Sequence, residues 1–161
     1  MNSDALFGLS ILMSFIAFGN VTKLYIWPRL RVMRREDALI PVVVPHTFRF
    51  VGLSFLIPGV VSPSLSSAFA VPVASGDLVA AILAVVSTLA LAARASWAIP
   101  IVWVFNVWGT LDLLHAIYEG QIGVGIDPGS LGAAFFIPTV VVPALLVLHG
   151  LIFWLLLRSK Q

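Results

Sequence analysis

His46-Thr-Phe-Arg49 and Asp112-Leu-Leu-His115 stand inside long apolar stretches of the chain. Each motif places two ionisable side chains three residues apart, and therefore on one face of a helix. An arginine or aspartate at the centre of a bilayer costs roughly 2.5 kcal/mol or more on insertion scales. Such residues pair with one another or mark a ligand, ion or proton site. Arg49 and Asp112 are therefore expected to form a structural ion pair. With His46, Asn106, His115 and His149 they are also the candidates for binding a small ligand or cofactor. His46 and His149 could serve as axial ligands of a b-type haem, with Arg49 beside a propionate. A zinc or copper site built from the two histidines and Asp112 fits less well, because the aspartate falls at another level. The familiar hydrolase, nucleotide-binding and zinc-protease motifs are absent, so no catalytic residue is assigned.

These residues need helices to hold them. Of 161 residues, 60% are hydrophobic and 10% charged, which excludes an ordinary soluble domain. The expected fold is all-α: one transmembrane domain over residues 1–161, a bundle of five helices solvated by lipid. A span takes about 20 apolar residues. Five segments meet that need, at about 6–27, 38–61, 77–95, 99–118 and 130–157. The first carries Asp4 and no basic residue at its amino end, and no cleavage site follows it, so it reads as a retained span. The net charge of +2 is too small to suggest nucleic acid, and the absence of cysteine excludes disulfides and thiolate metal sites.

The distribution of basic residues orients the bundle. Arg29, Arg31, Arg34, Arg35, Arg94, Arg158 and Lys160 all fall on one side of a five-span serpentine, whereas the opposite connections hold Asp77, Glu119 and Asp127. The positive-inside rule puts the amino terminus outside and the carboxy terminus in the cytoplasm. Lys23 lies near the inner end of the first span and can snorkel to the interface. Asp37 and Asp77 read as N-caps, Asp127-Pro128 as an N-cap followed by a first-turn proline, and Gly120 as a helix end. Ala80, Ala84, Ser87 and Ala90 form a small-residue stripe for packing in a third span that has no ionisable group in its interior. The outer connection, residues 62–76, reads as loop.

With a rise of about 1.5 Å per residue, Asn106, His46 and His149 lie roughly 10–12 Å above the cytoplasmic ends, Arg49 at ~17 Å, Asp112 at ~20 Å and His115 at ~24 Å. Gly109, in phase between Asn106 and Asp112, marks the face of the fourth span that turns toward the others. His115 sits beside Glu119 as an interfacial hydrogen-bonder. Pro45 and Pro143 each leave a carbonyl one turn earlier without its helical partner. Ile40-Pro-Val-Val-Val-Pro45 and Ile137-Pro-Thr-Val-Val-Val-Pro143 are similar, as an inverted repeat would be, although their spacing differs by one residue.

The His46-Thr-Phe-Arg49 segment resembles one in small bacterial membrane proteins, and no activity is carried over from that resemblance; the expected location is a cell membrane, the bacterial inner membrane. Three functions are compatible with the sequence. The expected one is binding of a small ligand or cofactor at a polar cluster between the second, fourth and fifth spans. The others are an accessory subunit of a larger membrane complex, and an intramembrane enzyme or proton-coupled transporter. The lipid bilayer is the expected partner, and a homo-oligomer or a second membrane subunit is compatible with the small size.

Overall fold

The computed structural model describes residues 2–158, and every regular element in them is helical. Five helices are long and apolar enough to cross a membrane: α1 Ser3–Leu30, α2 Arg35–Leu56, α3 Ser67–Ala92, α4 Ala98–Gly123 and α5 Ile137–Leu157. A short 3₁₀ element, Pro128–Phe135, precedes α5 and is capped by Asp127, which accepts from the Gly129 amide. The helices pack as an up-and-down bundle. At one end Leu30, Leu39, Val43, Leu91, Val102 and Ile152 form an apolar plug. Phe7, Phe55, Phe69 and Leu131 cluster at the other. The plugged end is also the basic end. There the Arg158 guanidinium donates to the Leu30, Arg31 and Met33 carbonyls, and Arg94 reaches Asp37 at 3.5 Å.

Prolines set the departures from α geometry. Pro28 has no N–H to give Leu24, and the helix widens into a π turn over Thr22–Ile26, where Trp27 N–H bonds to Thr22. The same widening occurs over Ile137–Val141, ahead of Pro143. In α2 the ladder tightens instead: Val44–Leu56 is 3₁₀ helix. A 3₁₀ helix has three residues per turn, so every third side chain eclipses. His46, Arg49, Gly52 and Phe55 therefore form one straight row, and they are the buried residues of this segment. The rise is about 2.0 Å per residue rather than 1.5 Å, which displaces the depths expected for residues beyond Val44.

Several sequence expectations need correction. Asp77 is not an N-cap in an outer connection: α3 begins ten residues earlier, at Ser67, and Asp77 lies buried in its interior. The stretch expected as loop is helical from Ser67, and α3 carries Pro72 in its second turn. The third span does carry an ionisable residue, so Arg49 and Asp112 are not alone among apolar surroundings. Asp37 is in the first turn of α2, behind a cap at Arg34, where its charge suits the helix dipole. Gly120 does not end α4, which continues as a π turn over Glu119–Gly123. The fifth span starts at Ile137 rather than near 130, since the residues before it form the separate 3₁₀ element.

Candidate functional site

Arg49 projects from the 3₁₀ row of α2 into the middle of the bundle, where only 2% of it is exposed. Its Nε donates to Asp77 Oδ1 at 2.8 Å, and Nη2 lies 2.7 Å from the same oxygen. Nη2 also donates to Asp112 Oδ2 at 2.5 Å, and Nη1 donates to the Gly109 carbonyl at 3.0 Å. One guanidinium thus ties α2 to α3 and α4. Its planar fork is suited to that role, because the donors point in fixed directions toward different carboxylates.

Glycine makes the approach possible. A Cβ on Gly52 would collide with the Asp77 carboxylate, and one on Gly76 with the Asp112 carboxylate. A Cβ on Gly109 would come within 2.8 Å of His149 Cε1 and 2.9 Å of Arg49 Nη1. Each of the three helices linked by Arg49 therefore contributes one bare backbone position against a polar side chain.

Toward the basic end lie the histidines. His149 Nδ1 is 2.7 Å from Asn106 Oδ1, and the Asn106 amide nitrogen returns a bond to the His149 carbonyl at 3.4 Å. An amide oxygen only accepts, so Nδ1 carries the proton and Nε2 is left with a lone pair. That Nε2 and both ring nitrogens of His46 are buried with no hydrogen-bond partner among the described residues. The two imidazole centres are 4.2 Å apart with an interplanar angle of 51°, and Phe105 packs 5.1 Å and 5.5 Å from them. This contact does not suit a bis-histidine haem. Two metal–nitrogen bonds of about 2 Å already separate the ligating atoms by roughly 4 Å, and the ring centres by more. A porphyrin would also need a slot between rings that here touch each other.

Beside the Arg49–Asp77–Asp112 triad opens a cavity of about 530 Å³. Phe7, Phe15, Phe55, Phe69 and Leu146 form much of its wall, Asp77 and Asp112 line its inner end, and Asp4 and Gln121 also border it. Arg49 stands behind the carboxylates and does not line it. Asp77 Oδ2 and Asp112 Oδ1 accept no hydrogen bond from the protein among the described residues.

Of the sequence candidates, the structure brings together His46, Arg49, Asn106, Asp112 and His149. His115 is apart from them, 59% exposed in its side chain and 3.6 Å from Glu119. Asp77 was missed. Its signal was phase: Val73, Asp77, Ala80, Ala84 and Ser87 fall on one helical stripe, all buried. The role of α1, which walls the cavity, had no polar marker beyond Asp4.

The family described as Domain of unknown function (DUF8737) matches over residues 6–157. The chain belongs to that family. The matched region holds all five long helices almost entirely, and every residue of the triad and of the histidine pair. No curated protein and no solved structure matches the chain.

Proposed function

We propose that this is a multi-pass protein of the cell membrane that binds a small molecule in the cavity walled by α1, α3, α4 and α5, against the carboxylates held by Arg49. Apolar side chains cover the outside of the bundle, among them Leu12, Leu24, Ile82, Leu89, Leu111 and Leu157. A surface of that kind suits lipid, not water. The arginines at the plugged end support a cytoplasmic position for that end under the positive-inside rule, with the amino terminus outside. The cavity then faces the outer half of the membrane.

The observation that carries the proposal is an apolar pocket of about 530 Å³ with two convergent carboxylates at one end. Small-molecule sites have this form: mostly apolar walls and a few placed polar groups. A pair that served only to neutralise charge would need neither the cavity nor free carboxylate oxygens. The test uses protein in phosphatidylcholine nanodiscs, titrated with ten-carbon amphiphiles that differ in head group, with thermal unfolding as readout. Gly8 lines the cavity, and a Cβ there meets nothing within 4 Å, so Gly8→Trp can fill the space without disturbing the triad. Saturable stabilisation of the natural protein that Gly8→Trp abolishes supports the reading. An equal response of both proteins contradicts it.

A further inference from the structure

We infer that the occupant of this cavity is an organic cation, an ammonium group on an apolar body; this rests on the binding proposed above and names its substrate class. The lining holds Asp4, Asp77 and Asp112 and no lysine, arginine or histidine. Arg49 does not line the space: its Nε and Nη2 face the aspartates and its Nη1 faces the Gly109 carbonyl. What a ligand meets at the inner end is therefore carboxylate oxygen, which only accepts. Asp77 lines the space at only 6% exposure, and its Oδ2, which lies against Gly52, has no donor among the described residues. A ligand that bonds there must donate.

Charge narrows the choice from donors to cations. Two carboxylates share one guanidinium, a formal excess of one negative charge in apolar surroundings. Uncompensated charge is costly there, and a bound cation offsets it. The walls fit the same ligand, since Phe7, Phe15, Phe55 and Phe69 offer ring faces that attract ammonium groups and apolar chains alike. An anion would face three carboxylates with no counter-charge of its own.

The experiment compares decylammonium, decanol and decanoate as probes in the nanodisc titration, each with the natural protein and with Gly8→Trp. Decylammonium is expected to half-saturate at a concentration at least about tenfold lower than decanol, and decanoate to show no saturable effect. Asp112→Asn should bring decylammonium close to decanol. Should that variant fold poorly, Asp4→Asn, near the start of α1, should weaken decylammonium alone and by a smaller factor. Equal affinity for decylammonium and decanol would mean that a proton neutralises the triad, and it would overturn the cation assignment while leaving the cavity reading intact. Preference for decanoate would overturn it likewise. If no probe distinguishes the natural protein from Gly8→Trp, both the assignment and the binding reading fall.

Discussion

Arg49 and Asp77 are joined twice, through Nε at 2.8 Å and Nη2 at 2.7 Å, and both contacts end on a single carboxylate oxygen. The other oxygen of Asp77 packs against Gly52 of α2 and accepts no hydrogen bond among the described residues. That geometry gives the arginine two duties. It holds three helices together, and it presents acceptors rather than donors to the space beyond.

Removal of the arginine should be far more harmful than neutralising either acid. Arg49→Leu leaves two carboxylates facing each other in apolar surroundings, and a broken buried pair of this kind costs about 3–5 kcal/mol. Asp77→Asn keeps an acceptor for Arg49 and should cost about 1–3 kcal/mol. Unfolding in mixed micelles, followed by circular dichroism, checks the order. Equal losses would show that Arg49 does not organise the cluster.

The glycines at the triad should tolerate no methyl group. Gly76→Ala pushes a Cβ onto Asp112, and Gly52→Ala pushes one onto Asp77, so each should lose about 1–3 kcal/mol by overpacking. Gly8→Ala is the contrast. Nothing crowds its Cβ, and the helix gains about 0.5–1 kcal/mol from the alanine. Parallel unfolding curves of the three variants check this order, and a Gly76→Ala or Gly52→Ala protein as stable as Gly8→Ala would contradict it.

The two histidines should respond differently although their rings touch. His149→Phe strands the Asn106 amide, at about 1–3 kcal/mol, and Asn106→Leu combined with it should recover part of that loss. His46 has no hydrogen bond to lose, so His46→Phe should cost less than about 1.5 kcal/mol. A large loss at His46 and none at His149 would reverse the assignment.

Orientation can be read directly because the chain has no cysteine. In intact cells, Ser64→Cys should react with an impermeant maleimide added outside, and Val32→Cys only after the membrane is opened. The reverse pattern would place the cavity on the cytoplasmic side.

The spans were legible because hydropathy and length are local properties, and the Arg49–Asp112 level could be judged from helical rise. Three features were not. The start of α3 was hidden by serine, alanine and proline, which compose loops as readily as the first turns of a helix. Asp77 went with it, since an acid beside Gly76 looks like a cap until the helix is extended. The 3₁₀ half of α2 starts at Val44, beside Pro45, and brings Gly52 against Asp77 of α3, a contact between distant parts of the chain. That row of three-residue spacing, His46-Arg49-Gly52-Phe55, was in the sequence but fits a 3.6-residue period poorly. The cavity was least legible of all, because it is the space five helices fail to fill.

The central claim, that the carboxylates held by Arg49 face a cavity open to the outer side, is tested most directly at Asp112. Asp112→Cys leaves Arg49 paired with Asp77 and puts a thiol at the inner end of the cavity. The measurement is its rate of modification by an impermeant cationic thiosulfonate added from outside. The thiol should react, and Gly8→Trp in the same chain should slow it at least about tenfold by closing the path, an added barrier of roughly 1.4 kcal/mol or more. No reaction from outside, or reaction only from the cytoplasmic side, would contradict the claim.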